Sequence, residues 1–153
     1  MILGVNHVAL SVPDMDRALC FYCELLGFRK LSDAGWQAGN ESADRILAVT
    51  GTAARVCHVG VDNLLLELFE FGNCEPAPQD PQRPVIDHGI THICLAVTDL
   101  DTEYERLVEA GMTFHSPPMD VGVPGVRTVY GRDPFGNVIE LEECTGRHRA
   151  QDP

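Results

Sequence analysis

A chain of 153 residues with 44% hydrophobic side chains is long enough for one domain with a buried core, residues 1–153, which excludes a largely disordered protein. The 11 basic and 23 acidic residues give a net charge of −12, which argues against nucleic acid and anionic membrane surfaces as partners. No apolar run approaches the roughly 20 residues of a membrane-spanning helix, and no secretion-signal pattern opens the chain, so we expect a cytoplasmic protein.

The first predicted elements are a strand and a helix. His7 heads a strand in which apolar and small residues alternate as far as Asp14. Asp14 suits the N-cap of a helix, apolar residues recur at helical spacing over residues 15–26, and Gly27 suits the C-terminal cap. The first half of the chain is therefore predicted to begin with a strand followed by a helix.

Two of the six cysteines fall within this helical pattern. Cys20 and Cys23 have the spacing of a redox pair, but they lie inside a predicted helix rather than at a strand-to-helix turn. We interpret them as small buried hydrophobic residues rather than redox or zinc residues. Without a secretion signal, the six cysteines are expected to be reduced thiols rather than a disulfide framework.

The first half of the chain, residues 5–71, ends in a strand that contains Glu67. Residues 42–49 predict a short helix within an insertion that has no counterpart later in the chain. Residues 72–88 contain four prolines, which favour an extended linker over an element with ladder hydrogen bonds. The sequence therefore predicts a βαβββ module followed by a linker.

The second half, residues 89–143, repeats the order of the first. His92 heads a strand, Asp99 suits the N-cap of the helix that follows, and Glu140 lies in the closing strand. Residues 144–153 have no apolar face beyond Cys144 and predict a frayed tail. The chain is thus predicted to contain two βαβββ modules.

The repeat pairs the residues that could carry chemistry. His7 aligns with His92 at an offset of 85 residues (92 − 7), and Glu67 aligns with Glu140 at an offset of 73 (140 − 67). A single histidine or glutamate in a strand is usually structural, but repetition of both favours a shared role. Two unpaired carboxylates among aliphatic residues would cost several kcal/mol, which a bound divalent cation removes. Two imidazoles and two carboxylates suit zinc, nickel, cobalt, manganese or iron(II), with positions left for substrate.

Four strings carry a resemblance to the vicinal oxygen chelate superfamily, which includes glyoxalase I, methylmalonyl-CoA epimerase, fosfomycin- and bleomycin-resistance proteins and extradiol dioxygenases: His7-Val-Ala-Leu-Ser-Val, Leu66-Glu67-Leu, His92-Ile-Cys-Leu-Ala-Val and Asp133-Pro-Phe-Gly-Asn-Val-Ile-Glu140-Leu. The resemblance covers residues 5–143. It implies an α+β fold in which the two modules form a curved mixed sheet around one divalent metal ion. The ligands it implies are those that the repeat selects, His7, Glu67, His92 and Glu140.

The complete ligand set resembles the glyoxalase I and epimerase branches. In those branches the metal chelates two neighbouring substrate oxygens and stabilises an enolate while a carboxylate moves the proton. The resemblance therefore implies a metal-dependent isomerase, epimerase or lyase, with Glu140 favoured as the base and Glu67 as the alternative. An iron(II) extradiol-type dioxygenase and a metal-free drug-sequestering protein stay open as alternatives.

Strand pairing predicts further residues around the site. A two-residue turn at residues 62–63 places His58 opposite Glu67 and hence in the substrate cavity. In the second half, a four-residue loop at residues 133–136 places Arg127 opposite Glu142, where it could hold a substrate carboxylate or phosphate. A three-residue loop instead turns Tyr130 inward. The insertion over residues 36–54 is expected to line the substrate side.

A lone module presents one histidine and one glutamate on an open sheet. A second module must close the cavity, and it could come from the same chain or from a neighbouring chain, since the linker permits both. We therefore expect a homodimer that acts on a small-molecule substrate.

Overall fold

The computed structural model describes residues 1–145, and the predicted tail beyond Thr145 lies outside them. The chain divides into two compact units, Met1–Pro78 and Gln79–Pro153, called unit 1 and unit 2 below. Each unit contains one mixed sheet and one long helical segment, so the fold is α+β, as the repeat predicts. Among the described residues, no helix is long and apolar enough to cross a membrane.

Unit 1 contains a four-stranded sheet in the order β1-β4-β3-β2. Strand β1 runs parallel to β4, and the other neighbours are antiparallel. Its elements are β1 Val8–Ser11, α1 Met15–Leu19, a π-helix Cys20–Leu25, β2 Arg29–Trp36, α2 Glu41–Leu47, β3 Ala53–Val61 and β4 Leu64–Gly72.

Unit 2 repeats this arrangement, with the strand order β5-β9-β8-β6 and a short strand β7 that also pairs with β8. Strand β5 runs parallel to β9, as β1 does to β4. Its elements are β5 Ile93–Val97, α3 Leu100–Glu109, β6 Thr113–Phe114, β7 Met119–Asp120, β8 Val126–Arg132 and β9 Val138–Cys144. Residues 73–92, between β4 and β5, form no helix or strand.

Both predicted N-caps are present. The Asp14 carboxylate accepts a hydrogen bond from the Arg17 N–H at 2.9 Å, and Asp99 accepts one from the Thr102 N–H at 3.2 Å. These bonds satisfy amide groups that the first turn of a helix leaves without a partner. The predicted helix starts are therefore confirmed, and the short helix of the insertion is confirmed as α2.

The first helix departs from the prediction after its first turn. The Leu26 N–H donates to the Phe21 carbonyl, five residues earlier, so the segment that follows Leu19 is π-helical. Cys20 on this segment is exposed and Cys23 is half-buried, so the expectation that both are buried is wrong for Cys20. All six cysteines are free thiols, as predicted.

One face of each sheet forms a core with the helix of the same unit. In unit 1 this core consists of apolar side chains that are almost completely buried, those of Met15, Ala18, Tyr22, Cys57, Val59, Leu66 and Leu68. In unit 2 the corresponding side chains are Leu100, Leu107, Val129, Ile139 and Leu141. Because side chains alternate along a strand, the opposite face carries the intervening residues. We call this opposite face the site face of each unit.

Candidate functional site

The site face of unit 1 brings together two histidines and one glutamate. The Nε2 atom of His7 lies 3.1 Å from Oε2 of Glu67, and the Nε2 atom of His58 lies 3.3 Å from Oε1. His7 immediately precedes β1, which pairs with β4 next to Glu67, and His58 lies directly opposite Glu67 across the β3–β4 hairpin. The predicted two-residue turn and its register are therefore confirmed. His7, His58 and Glu67 are called the first half-site below.

The outer nitrogens of both imidazoles are held by polar neighbours. His7 Nδ1–H donates to the Asn6 Oδ1 atom at 2.8 Å, and His58 Nδ1 lies 2.8 Å from the Ser32 hydroxyl. A neutral His7 with its proton on Nδ1 directs the lone pair of Nε2 at a carboxylate oxygen. Two lone pairs at 3.1 Å repel each other unless a proton or a metal cation lies between them. This geometry fits a metal ligand whose orientation is fixed by its outer nitrogen.

An aromatic cluster lies beside the first half-site. Phe69 and Phe71 follow Glu67 on the same face of β4, and their rings stack with centroids 5.4 Å apart. Trp36 makes edge contacts with both rings, and its indole N–H donates to the hydroxyl of the buried Thr52 at 3.1 Å. The site face of unit 1 is therefore apolar on one side of the carboxylate. Trp36, the first residue of the predicted insertion, therefore lies on the same face as Glu67.

The site face of unit 2 brings His92 to Glu140. His92 Nε2 lies 2.9 Å from Oε2 of Glu140, and Nδ1 lies 2.8 Å from the Thr91 hydroxyl. The other carboxylate oxygen, Oε1, accepts a hydrogen bond of 2.6 Å from the Thr128 hydroxyl. The Glu140 side chain is 10% exposed, against 18% for Glu67. His92, Thr128, Tyr130 and Glu140 are called the second half-site below.

The register of the β8–β9 hairpin decides between the two predicted substrate contacts. Tyr130 lies opposite Glu140, and the Asp133 N–H donates to the Asn137 carbonyl, which closes a three-residue loop. The Asp133 carboxylate accepts hydrogen bonds from the backbone N–H groups of Phe135 and Asn137, which holds this loop compact. The four-residue alternative is therefore wrong, and the alternative that turns Tyr130 inward is confirmed.

Arg127 consequently lies on the helix face of unit 2 and away from the second half-site. It lies opposite Glu143 rather than Glu142, and its guanidinium binds both oxygens of Asp101 at 2.7 and 2.9 Å. The hydrogen bonds from Arg127 hold the pKa of Asp101 below its usual range. The prediction that Arg127 binds substrate is wrong, because the one-residue shift in register reverses its face.

A thiol and a second carboxylate beside Glu140, those of Cys94 and Glu142, were not predicted to belong to the site. The Sγ of Cys94 and one oxygen from each of Glu140 and Glu142 lie within 4.8 Å of one another. Partial desolvation, followed by the charges of Glu140 and Glu142, raises the pKa of the Cys94 thiol to about 12. Strand alternation gives the signal for this group, since Cys94 and Glu142 lie two residues after His92 and Glu140.

His115 and Arg132 form a second unpredicted cluster, next to Tyr130. The His115 ring stacks on the Tyr130 ring with centroids 6.5 Å apart, and Arg132 Nε–H donates to His115 Nε2 at 3.1 Å. Burial and the neighbouring guanidinium lower the pKa of His115, which keeps its Nε2 available as an acceptor. Burial and the charge of Glu140 raise the pKa of Tyr130. Tyr130 therefore keeps its proton and can donate a hydrogen bond.

Comparison with curated proteins finds relatives that are epimerases and lyases. The chain is 32% identical over 145 residues to a 2-epi-5-epi-valiolone epimerase from Actinomyces sp.. The alignment covers 91% of this chain and 78% of the relative. It is 28% identical to a lactoylglutathione lyase from Pseudomonas aeruginosa, covering 92% and 82% of the two chains. It is 25% identical to human mitochondrial methylmalonyl-CoA epimerase, covering 92% and 73%.

Solved structures with the same fold include a glyoxalase family protein from Bacillus cereus, with a TM-score of 0.85, 22% identity and coverage of 95% and 97% of the two chains. A variant of the fosfomycin resistance protein FosX from Listeria monocytogenes, complexed with Mn(II), has a TM-score of 0.63, 18% identity and coverage of 95% and 94%. A family profile matches residues 4–141, nearly the whole described chain. The chain therefore belongs to the Glyoxalase/Bleomycin resistance protein/Dioxygenase superfamily.

Proposed function

We propose that the protein is a divalent-metal-dependent enzyme of the glyoxalase and epimerase type, with one metal ion bound by His7, Glu67, His92 and Glu140. One observation carries the proposal, the repeated approach of a histidine Nε2 to a glutamate oxygen, at 3.1 Å in unit 1 and 2.9 Å in unit 2. Equivalent positions supply these atoms, since each histidine immediately precedes the first strand of its unit and each glutamate lies on the last strand.

The mixture of nitrogen and oxygen donors supports a divalent metal ion that accepts both kinds of ligand. Two imidazole nitrogens and two carboxylate oxygens suit zinc, nickel, cobalt, manganese or iron(II). The Nδ1 contacts of His7 and His92 orient each ring, which is the usual arrangement around a histidine that binds metal. FosX, which shares the fold, is a protein described with Mn(II), so manganese is the first ion to test.

A metal bound there would chelate two neighbouring substrate oxygens and stabilise the negative charge that develops on them. The residues of the chain move the proton. One glutamate takes it from the carbon beside the substrate carbonyl, and its return to the opposite face or to the neighbouring carbon gives an epimer or an isomer. His58 and Tyr130 face the carboxylates and hold substrate oxygens by hydrogen bonds.

The required chemistry points to a small ketone that carries a hydroxyl on the adjacent carbon, because this group offers two neighbouring oxygens and an acidic C–H bond. The relative at 32% identity is named for such an epimerase reaction, so 2-epi-5-epi-valiolone is the first compound to test. The net charge of −12 disfavours a strongly anionic thioester such as methylmalonyl-CoA.

Metal analysis and hydrogen exchange test this proposal together. Purified protein is analysed for bound metals and then incubated with 2-epi-5-epi-valiolone in heavy water, with methylmalonyl-CoA and lactoylglutathione as comparison compounds. We expect zinc, nickel, cobalt or manganese and metal-dependent entry of deuterium beside a carbonyl. Oxygen-labile iron with oxygen uptake would replace the proposal by a dioxygenase, and absence of both metal and exchange would replace it by a binding protein.

We also propose that the working unit is a homodimer. The test mixes inactive His7→Ala and His92→Ala chains after denaturation and refolding. If sites form across two chains, half of the dimers are mixed and each mixed dimer has one intact site, so about a quarter of wild-type activity returns. Proven mixed dimers without activity would place each site within one chain, and an active monomer in sedimentation would contradict the dimer.

A further inference from the structure

The two glutamates of the half-sites are held by different groups. Glu140 Oε1 accepts the 2.6 Å hydrogen bond from Thr128, and both residues are buried. The same hydroxyl lies 2.9 Å from the Leu141 carbonyl. A hydroxyl has one proton, and the charged oxygen at the shorter distance is the stronger acceptor, so the proton is directed to Glu140.

This hydrogen bond fixes which oxygen of Glu140 is free. Thr128 is β-branched and stands on the central strand β8, so its hydroxyl has few positions available. With Oε1 engaged, Oε2 is directed at His92 Nε2, 2.9 Å away. Rotation of the carboxylate would break this charge-assisted hydrogen bond and leave the hydroxyl with the Leu141 carbonyl, a neutral and therefore weaker acceptor.

Glu67 has no corresponding hydroxyl contact among the described residues. Within the described part of the chain, the groups that approach its two oxygens are the imidazoles of His7 and His58. The position equivalent to Thr128 is Val56, since His58 lies opposite Glu67 as Tyr130 lies opposite Glu140, and each is two residues further along its strand. The Val56 side chain is buried and apolar and has no group that could donate a hydrogen bond to Glu67. The Glu67 carboxylate is therefore free to turn without breaking a bond to a fixed hydroxyl.

We infer that Thr128 is a positioning residue that would hold Glu140 as a metal ligand through one oxygen, and that Glu67 is the carboxylate that moves the proton. The inference rests on the proposed function and assigns different roles to its two glutamates. It reverses the preference for Glu140 as base that the resemblance gives. The reason is the hydroxyl on β8, which ties Glu140 to the sheet.

The test is Thr128→Val, which removes the hydroxyl and preserves the shape of the side chain. Affinity for Mn(II) is measured by titration, and the visible spectrum of the Co(II)-loaded protein reports the ligand geometry. We expect an affinity about 10-fold to 100-fold weaker, the usual effect of losing a group that orients a metal ligand, and a changed Co(II) spectrum. Thr128→Ser keeps the hydroxyl and should restore both.

The matched control is Thr52→Val. Its hydroxyl also donates to a carboxylate, Asp44 at 2.7 Å, and is also buried, but Thr52 lies immediately before β3, at the end of that strand far from the residue opposite Glu67. It should lower thermal stability without changing Mn(II) affinity. Wild-type Mn(II) affinity and Co(II) spectrum in folded Thr128→Val protein would overturn the inference.

A reciprocal variant keeps the inference testable if Thr128→Val does not fold. Val56→Thr adds a hydroxyl at the equivalent position beside Glu67 without changing side-chain volume. It should tighten Mn(II) binding and slow proton exchange, because Glu67 is then tied as Glu140 is. Faster exchange with unchanged affinity would overturn the inference. If the wild-type protein binds neither Mn(II) nor Co(II), the proposed function fails instead, so the two failures are distinguishable.

Discussion

In units 1 and 2 the same strand positions carry a histidine and a glutamate, while the groups around each pair differ. The shared part extends to the helix face. Arg55 of β3 binds Asp16 of the first helix at 2.7 Å, and Arg127 of β8 binds Asp101 of α3 at 2.7 Å. These ion pairs lie at equivalent places and attach each helix to its sheet. The repeat therefore preserves both the scaffold and the two donor types.

The differences are concentrated on the site faces. Beside Glu67 stand His58 and the stacked rings of Phe69 and Phe71, whereas the positions beside Glu140 carry a tyrosine, a second carboxylate and a thiol, Tyr130, Glu142 and Cys144. In the first half-site the carboxylate lies between two imidazoles and beside an aromatic cluster, whereas in the second a buried hydroxyl holds it. Repeated donors can therefore have different roles because their neighbours differ.

The largest effect is expected from replacing each glutamate by the neutral amide. Glu67→Gln should slow proton exchange by about 10²–10⁴-fold at saturating metal, because it removes the proposed base and leaves an oxygen donor. Glu140→Gln should instead weaken Mn(II) binding more strongly and slow exchange less once metal is saturating. The measurements are Mn(II) titration and deuterium exchange at saturating Mn(II). The reverse pattern would show that Glu140 is the base.

A smaller effect is expected when the residues facing the two glutamates are each changed to phenylalanine. His58→Phe should lower kcat/KM by about 10–100-fold and Tyr130→Phe by about 2–10-fold, since each removes the proposed hydrogen bond to a substrate oxygen. Both variants keep an aromatic ring, so they form a matched pair. Steady-state kinetics at saturating metal separates them. Equal kinetic constants for both variants and the wild type would remove these residues from substrate binding.

The arginines of the helix faces should affect stability and leave metal binding unchanged. Arg55→Gln should lower Tm more than Arg127→Gln, because Arg55 also binds Asp33 at 2.9 Å, whereas the second carboxylate near Arg127, Glu143, is 3.9 Å away. The hydrogen bonds from Arg55 hold the pKa of Asp33 well below its usual range. This stabilisation is fully present above the ordinary aspartate pKa of about 4 and is lost as the pH falls further.

Thermal unfolding of both arginine variants between neutral and strongly acidic pH checks this expectation. The difference in Tm between wild type and Arg55→Gln should shrink as the pH is lowered. A raised KM in Arg127→Gln with unchanged Tm would restore Arg127 to the substrate site.

The smallest effect is expected from replacing either of the two cysteines of the π-helix. Cys20→Ser and Cys23→Ser should each keep metal content and activity within about 2-fold, because a small side chain that is exposed or half-buried tolerates this exchange. Metal analysis and the exchange assay measure both. Loss of metal in either variant would point to a site on the helix of unit 1.

The sequence predicts unit 1 more completely than unit 2 because of the turns. Two residues between Val61 and Leu64 leave one sensible register, and this register sets His58 opposite Glu67. The second hairpin allows several loop lengths, and the side chain of Asp133 selects the three-residue form by binding two backbone N–H groups. The repeat contains a signal for this choice, since Arg55 and Arg127 have the same role.

The role of Thr128 could not be read from the repeat. Its counterpart is Val56, so alignment of the two halves marks the position as apolar, and threonine is common in strands for its shape alone. Only the distance from its hydroxyl to Glu140 distinguishes an anchoring group from a packing residue. Donor residues follow from pattern, whereas the contacts that orient them depend on register and side-chain geometry.

The most direct test of the central claim is the number of Mn(II) ions bound per chain, measured by titration for the wild type, His7→Ala and His92→Ala. We predict one ion in the wild type and its loss in both variants, because each half-site would supply two of the four ligands. Retention of the ion by His7→Ala but not by His92→Ala would contradict it, since unit 2 would then hold the metal through Glu140 and its neighbours Cys94 and Glu142.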